Sequence, residues 1–260
     1  MIQVDNIQAG YQGSPVLHGI SFELESGKNL SIIGPNGCGK TTLLRVLAGV
    51  LPFSGQVQLD GVNLRDFKRK ALAKKVAMLS QATQLYFNYT VFDTVMMGRY
   101  VHESDNWFGI GNSTSTADQE AVISALETVD MLQFKDREVD TLSGGQLQRV
   151  FLAKIIAQNP DIVLLDEPTN HLDLSYQIEL IDFFQKWSKE TGKTIIGVLH
   201  DLNLAMRLSD HVLLMENGNM KAFGTNQDVY ASDALLSAYR MDVTGYMLDT
   251  LEKWKVMAKE

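Results

Sequence analysis

Residues 34–41 read GPNGCGKT, directly after the strand-like segment NLSII and directly before a segment with helical periodicity. This eight-residue pattern is that of a phosphate-binding loop placed between a strand and a helix. Glycines at positions 34, 37 and 39 permit backbone conformations that larger residues avoid, so successive N–H groups can converge on phosphate oxygens at the positive end of the helix. The pattern therefore predicts an α/β fold that binds phosphate groups.

The last residues of this phosphate loop carry the chemistry expected of it. The Lys40 ammonium would place its charge on the β and γ phosphates of a nucleotide, and the Thr41 hydroxyl would bind the Mg²⁺ that bridges them. The alternative is an ordinary tight turn between a strand and a helix. Cys38 invites a redox role, but a small side chain on the outer face of the loop needs none. The predicted nucleotide contacts are Gly34, Pro35, Asn36, Gly37, Cys38, Gly39, Lys40, Thr41 and Thr42.

Composition places the chain among soluble globular proteins. Of 260 residues, 45% are apolar and 21% are charged, which is typical of a chain that buries a substantial core. Acidic residues outnumber basic ones by 31 to 23, which disfavours attraction to nucleic acid or to anionic lipid. The longest apolar run, residues 46–51, is far shorter than the about twenty residues of a membrane-spanning helix. With a single cysteine and no zinc-like Cys/His spacing, the reducing cytoplasm is the expected compartment.

Strand-like and helix-like segments alternate along the chain. Apolar side chains recur at every second position in IQVDNIQ, GISFELE, NLSIIG and QVQLDG, which predicts a β-rich opening. Helical periodicity covers residues 41–50, 91–98 and 117–132, the last behind a capping box that joins Thr116 and Gln119. From Leu147 onward, helices alternate with the strands IVLLD, TIIGVLH and HVLLME, the arrangement of a parallel sheet covered on both faces.

The strand IVLLD delivers Asp166 to its carboxyl end, with Glu167 directly behind it. Ligands of open α/β sheets bind at this edge. Successive strand side chains point in opposite directions, so Asp166 can hold Mg²⁺ while Glu167 orients the water that attacks the γ-phosphate. Two acids after a strand are otherwise ordinary loop residues or helix caps, and kinases, GTPases and motor ATPases also combine such a strand end with a phosphate loop.

The string LSGGQ at residues 142–146 precedes a helical stretch. Ser143 and Gln146 have the spacing of a capping box, and the two glycines between them leave backbone N–H groups accessible, so this helix start is a second predicted anion site. A well-capped helix without a ligand is the alternative. Because the phosphate loop already surrounds much of one nucleotide, the second site is predicted to act on a nucleotide held by another copy of the chain.

These elements, in this order, resemble the ATP-binding cassette family, whose signature is LSGGQ between its two Walker motifs. Tyr11 resembles the aromatic residue that stacks on adenine, and Gln81 in MLSQAT resembles the glutamine of the Q-loop. NHLD at residues 170–173 resembles the D-loop, and His200 resembles the switch histidine. The resemblance implies ATP and Mg²⁺ as cofactors and covers nearly the whole chain.

The resemblance also implies an architecture and a set of roles. It predicts one ABC ATPase domain over residues 1–260, in which residues 1–86 and 141–260 form a P-loop NTPase core with a β-rich part and residues 87–140 form a helical subdomain. Implied catalytic residues are Lys40, Gln81, Glu167 and His200; implied magnesium ligands are Thr41, Gln81 and Asp166; further nucleotide contacts are Tyr11, Ser143, Gly144, Gly145, Gln146 and Asp173.

In this family two cassettes meet head to tail around two ATP molecules, so the resemblance implies an ATP-dependent dimer. Residues 89–102 (YTVFDTVMMGRYVH) and HDLNLA at 200–205 resemble ATPases of iron-chelate, haem and cobalamin importers. That subfamily implies a permease, indirectly a substrate-binding protein, and a peripheral location on the cytoplasmic side of the inner membrane. Val91, Val95 and Met96 fall on one helical face, which either receives the permease or is the packing core of the helical subdomain.

Two other functions remain open on the sequence. One is a soluble cassette without a transport role, such as an iron–sulfur cluster assembly ATPase, against which the GRYVH segment argues. The other is an unrelated P-loop kinase or GTPase, which LSGGQ and His200 disfavour. Leu147 after the signature and Val101 in GRYVH depart from residues common in importers, and they weaken the assignment of the transported solute.

Overall fold

The strands form two sheets in a computed structural model that describes residues 1–80, 89–102, 115–170 and 172–258. Gln81 of the predicted Q-loop and His171 of the predicted D-loop lie outside the described residues. The strands are β1 (Ile2–Tyr11), β2 (Ser14–Leu24), β3 (Leu30–Ile33), β4 (Phe53–Leu59), β5 (Val62–Asn63), β6 (Val76–Leu79), β7 (Ile162–Asp166), β8 (Thr194–Val198), β9 (His211–Glu216) and β10 (Asn219–Thr225).

The larger sheet positions the site. Its order is β10-β9-β3-β8-β7-β6, in which β6, β7, β8, β3 and β9 run parallel and β10 pairs antiparallel with β9. Every residue of β3, β7 and β8 is buried, as expected for central strands covered on both faces. Because the carboxyl ends of parallel strands meet at one edge, Gly34, Asp166 and Val198 are brought to the same side of the sheet.

The smaller sheet is antiparallel, with strand order β2-β1-β4-β5. Val4 of β1 is paired with Phe22 on one side and with Val57 on the other, and all three side chains are buried. The hairpin between β1 and β2 closes where Tyr11 pairs with Ser14. This end of the hairpin lies beside the phosphate loop, because Gly39 packs against Leu17 of β2.

Helices cover the parallel sheet. None of those within the described ranges is long and apolar enough to span a bilayer. A 3-10 helix, Met97–Val101, directly follows the α-helix that ends at Met96. The α-helices are α1 (Lys40–Leu47), α2 (Arg69–Lys75), α3 (Val91–Met96), α4 (Thr116–Thr128), α5 (Gly144–Gln158), α6 (Leu174–Thr191), α7 (Leu202–Leu208), α8 (Asn226–Tyr230), α9 (Asp233–Tyr239) and α10 (Val243–Met257).

The predicted α/β architecture is confirmed, with corrections at helix ends. α1 ends at Leu47 and not near residue 50, because Gly49 adopts a left-handed conformation with φ of +69° and stops the helix. The cap of α4 is Ser115 and not Thr116: its hydroxyl accepts a hydrogen bond from the Asp118 N–H at 3.1 Å. α5 begins at Gly144, directly after Ser143, as the predicted capping box requires.

The apolar side chains form two clusters, one on each side of the parallel sheet. α1 and the smaller sheet contribute to one cluster, whereas α3 to α7 contribute to the other. Val91, Val95 and Met96 are buried in the second cluster. The structure therefore decides between the two interpretations of this helical face: these three side chains belong to the apolar core that α3 to α7 share with the parallel sheet, and they are not a surface for a partner.

The C-terminal elements β10 and α8 to α10 were not predicted from the sequence. α8 and α9 are only five and seven residues long, too short to show clear helical periodicity. They pack on the edge of the parallel sheet, where Val229, Leu235 and Ala238 join the second apolar cluster. This placement brings the C-terminal part of the chain close to the phosphate loop.

Candidate functional site

The phosphate loop has the backbone geometry that its glycines predict. Gly34 has φ of +142° and Gly39 has φ of +103°, values that favour glycine. A Cβ on Gly34 would lie 2.1 Å from the Met215 carbonyl oxygen, and a Cβ on Gly39 would lie 2.8 Å from Leu17 Cδ2. Close packing and left-handed backbone therefore both require glycine at these two positions.

Lys40 is the first residue of α1 and is buried. Its ammonium donates hydrogen bonds to the carbonyl oxygens of Gly34 at 2.8 Å and Pro35 at 3.0 Å. These bonds hold the charge over the hollow of the loop, at the helix end where anions are favoured. The lysine is thus positioned to meet phosphate groups that enter the loop.

Thr41 and Asp166 connect the loop to the end of β7. The Thr41 hydroxyl donates to Oδ1 of Asp166 at 2.8 Å. Burial raises the pKa of the Asp166 carboxyl, and the hydrogen bond from Thr41 opposes this effect. A hydroxyl and a buried carboxylate at this spacing are oxygen ligands of the type that Mg²⁺ prefers, and a cation between them would offset the desolvation of the carboxylate.

Glu167, Asn170 and His200 form a hydrogen-bonded cluster at the same sheet edge. His200 Nε2 lies 2.7 Å from Oε1 of Glu167, and the Asn170 side-chain amide donates to Oε2 at 2.6 Å. Glu167 has φ of +54°, which is rare for a residue with a side chain and typical of functional sites. Both carboxylate oxygens are therefore oriented by neighbours while the backbone holds a strained conformation.

A cleft of about 620 Å³ joins these elements. Tyr11 stands at its rim, 39% exposed, and its hydroxyl accepts a hydrogen bond from Arg45 at 3.0 Å. Most of the predicted contacts of the local nucleotide are thus brought together, but Gly34, Pro35 and Cys38 do not line the cleft. The cleft is lined by Tyr11, Val16, Asn36, Gly37, Gly39, Lys40, Thr41, Thr42, Glu167, Asn170 and His200.

The signature residues do not line this cleft. Ser143 caps α5 in the predicted capping box: its hydroxyl accepts from the Gln146 N–H at 3.3 Å, and its own N–H donates to Gln146 Oε1 at 3.0 Å. Gly145 faces a separate hollow together with Tyr176 and Arg149. Asp173 caps α6 by accepting from the Tyr176 N–H at 3.1 Å, and it is also absent from the cleft lining. Within one chain the two predicted anion sites are separate.

Cys38 is not where the sequence analysis put it. Only 3% of the residue is exposed, and its carbonyl oxygen accepts a hydrogen bond from the Gly218 N–H at 3.0 Å. Burial raises the pKa of its thiol, which lowers its reactivity. The side chain lies in the apolar cluster that α1 shares with the smaller sheet, so the prediction of an outer-face position is wrong.

The sequence profile of the ABC transporter family matches residues 17–170, which is more than half of the chain. The chain belongs to this ABC transporter family. The predicted family and fold are thereby confirmed, and with them ATP as the nucleotide.

Curated relatives of this ABC protein cover nearly its whole length. It is 36% identical over 90% of its chain to the ferric enterobactin transport ATP-binding protein FepC of Escherichia coli (strain K12) and covers 85% of that protein. It is 37% identical over 94% of its chain to the uncharacterized ABC transporter ATP-binding protein YvrA of Bacillus subtilis (strain 168). The chain spans about half, 54%, of the length of YvrA.

Solved ABC structures have the same fold. One is an ABC transporter described as of the metal-chelate type, in an inward-facing conformation; it superposes with a TM-score of 0.78 at 27% identity, with 92% of this chain and 88% of that chain covered. Another is the dimeric structure of MJ0796, a bacterial ABC transporter cassette, with a TM-score of 0.74 at 25% identity and coverage of 86% and 98%.

Tyr239 is a contact of the phosphate loop that the sequence analysis missed. It ends α9, beyond the residues that the family profile matches, and its hydroxyl accepts a hydrogen bond from the buried N–H of Gly34 at 3.1 Å. Burial raises the pKa of this phenol. No local pattern marks the residue, because the two partners are 205 positions apart.

The Tyr239→Phe variant should weaken nucleotide binding as well as stability. It leaves the buried Gly34 N–H without an acceptor, which costs about 1–3 kcal/mol of folding free energy. We expect ADP affinity, measured by calorimetry, to fall about threefold to tenfold, equivalent to roughly 0.7–1.4 kcal/mol. Tyr230→Phe is the matched control, because that hydroxyl donates to the Leu202 carbonyl at 3.2 Å and not to a residue of the phosphate loop. Equal ADP affinity in both variants would exclude a role for Tyr239 at the loop.

Proposed function

We propose that this chain is the ATP-hydrolysing subunit of an importer for an iron chelate, haem or cobalamin. The observation that carries the ATPase part is the convergence of Lys40, the Thr41–Asp166 pair and the Glu167–His200 pair on one sheet edge. These groups supply a positive charge for phosphates, oxygen ligands for a metal, and an oriented carboxylate for water. The arrangement suits phosphoryl transfer to water better than transfer to another substrate, since the carboxylate is open to the cleft.

Each residue has a proposed role in hydrolysis. Loop N–H groups and Lys40 bind the β and γ phosphates, and Tyr11 stacks on the adenine. Thr41 and Asp166, with Gln81, would hold Mg²⁺, which neutralises charge on the phosphates when it is bound. Glu167 accepts a proton from water as the water oxygen bonds to the γ-phosphorus, and the bond from that phosphorus to ADP breaks. His200, whose Nε2 lies against Glu167, donates to the γ-phosphate as a neutral imidazole and so keeps water, carboxylate and phosphate in line.

The second half of each ATP site is proposed to come from a second copy. The capping box of α5 leaves N–H groups of Gly144 and Gly145 accessible at a helix start, yet these residues do not line the cleft that contains Lys40. A head-to-tail dimer would place the signature of one copy over the cleft of the other, and a dimeric cassette with the same fold supports this assembly. Ser143, Gly144, Gly145 and Gln146 would then contact the partner's ATP, with Asp173 at the same interface.

The transport role is proposed from relatives. FepC is named for ferric enterobactin transport, and the solved transporter is described as of the metal-chelate type. We infer a peripheral location on the cytoplasmic face of the cell membrane through permease subunits, with a substrate-binding protein as an indirect partner and no nucleic-acid partner. We also infer that residues 87–140 form the helical subdomain that the permease contacts, while residues 1–86 and 141–260 form the core of one ABC domain.

Uptake by cells tests the transport role. Cells of the source organism whose chromosomal copy carries Lys40→Ala should lose uptake of one of three radiolabelled cargoes, namely ferric siderophores, haem and cobalamin. Loss to background is expected because the lysine charge is needed for productive ATP binding, and the wild-type copy should restore uptake. Uptake of all three cargoes at wild-type rates in the Lys40→Ala cells, when the purified wild-type protein is an active ATPase and the purified variant is not, would contradict the importer assignment.

A further inference from the structure

The C-terminal end of the signature helix α5 is held from outside the helix. An α-helix leaves its last four carbonyl groups without partners inside the helix. In α5 the Asn159 N–H satisfies the carbonyls of Ile155 and Ile156. The other two are satisfied by the GRYVH segment: Arg99 Nη1 donates to the Ala157 oxygen at 2.7 Å, and His102 Nε2 pairs with the Gln158 oxygen at 2.8 Å.

Arg99 is itself fixed. Its Nε donates to Oδ1 of Asp118 on α4 at 2.8 Å, and both side chains are largely buried, with 17% and 16% exposed. A hydrogen bond from Ser115 and then the bond from Arg99 hold the pKa of Asp118 below its usual value. Backbone contact is close as well, because a Cβ on Gly98 would lie 2.4 Å from the Lys154 carbonyl oxygen of α5.

The contacts of Arg99 and His102 with the end of α5, called the anchor below, also complement the charge of the helix. A helix C-terminus carries partial negative charge, and the last turn of α5 has no basic residue of its own. Arg99 supplies the missing positive charge from the neighbouring 3-10 helix, Met97–Val101. Its planar guanidinium meets a carboxylate and a carbonyl at once, in a fork geometry that lysine lacks.

The anchor is far from the signature, yet α5 connects the two. α5 has 15 residues, so its ends are about 22 Å apart at 1.5 Å per residue. A tilt of about 5° at the anchored end would displace the other end by roughly 2 Å. Displacements of about 1 Å at a reacting centre cost on the order of 100-fold in rate.

We propose that Arg99, oriented by Asp118, is a positioning residue that sets where α5 presents Ser143–Gln146 to the ATP of the partner copy. This inference rests on the proposed head-to-tail dimer and adds a residue to which no role in the ATP site has been given. Arg99 does not contact the cleft of its own chain. A change of Arg99 should therefore separate two properties: the local ATP site stays intact, whereas closure of the dimer is impaired.

The test is made in a Glu167→Gln background, in which ATP binding is separated from turnover. Arg99→Gln should weaken MgATP-dependent dimerisation, measured by sedimentation equilibrium, at least about tenfold. ADP affinity of the monomer, measured by calorimetry, should change by less than about twofold, because no residue of the cleft is altered. Arg99→Lys should recover part of the dimer affinity. Asp118→Asn should lower the dimer affinity and leave the ADP affinity unchanged, as Arg99→Gln does.

Arg207→Gln is the matched control. It removes an arginine–aspartate pair with Asp182, which joins α7 to α6 and does not contact α5, and should leave the dimer affinity unchanged. Equal dimer affinity in Arg99→Gln and its parent would overturn the inference, as would a parallel loss of ADP affinity. If Arg99→Gln does not fold, Asp118→Asn and His102→Gln decide by the same two measurements. Failure of the Glu167→Gln parent itself to dimerise with MgATP would refute the proposed dimer and this inference with it.

Discussion

Glu167→Gln should lower steady-state ATP hydrolysis at least about 100-fold, the effect of losing a general base. The amide has nearly the shape of the carboxylate and keeps an oxygen that can accept from His200 or Asn170, but it cannot take a proton from water. Nucleotide binding should persist, because Lys40 and the phosphate loop are unchanged. With turnover blocked, MgATP should convert the monomer to a dimer that persists on gel filtration.

The control for this variant is Glu190→Gln. Glu190 is also a glutamate with a basic neighbour, Lys186 at 3.8 Å, but it lies on the exposed side of α6. The Glu190→Gln variant should hydrolyse ATP at the wild-type rate and remain monomeric after turnover. Undiminished hydrolysis by Glu167→Gln would show that another group takes the proton, and the assignment of Glu167 would have to be abandoned.

Mixing two inactive variants should restore activity. Lys40→Ala removes the lysine of the local site, and Ser143→Arg places a bulky cation at the signature, so each homodimer has two defective ATP sites. In the mixed dimer both defects fall in one site and the other site is intact. Random pairing of equal amounts gives half mixed dimers with one intact site each, so recovery of up to roughly one quarter of wild-type activity is expected from the twofold symmetry.

A second mixture provides the control. Lys40→Ala and Glu167→Gln both damage the local half of the site, so every dimer formed from them has a defect in each ATP site. This mixture should stay inactive under conditions in which the first recovers, as measured by phosphate release. Wild-type activity of Ser143→Arg alone, or no recovery in either mixture despite demonstrated subunit exchange, would contradict shared ATP sites.

Most of the fold and the local half of the site could be predicted from the sequence. The phosphate loop, the strand that ends at Asp166, and the capping box of Ser143 depend on residues within about ten positions of one another, and the structure has all three. Two errors are local, because Gly49 ends α1 and Ser115, not its neighbour Thr116, caps α4. The third, the inward position of Cys38, is decided by packing against distant residues. The roles of Gln81, Asp173 and the signature residues remain predictions.

Local pattern was sufficient for the phosphate loop and for the order of the motifs, because strand alternation, glycine conformations and helix caps are set by neighbours in the chain. Tertiary structure alone decided that Tyr239 contacts Gly34, that Asn170 and His200 share the carboxylate of Glu167, and that Arg99 caps α5. In most of these contacts the partners are tens to hundreds of positions apart in the chain. A hydrogen bond between such partners forms only when packing brings donor and acceptor within about 3 Å, and no local periodicity records that distance.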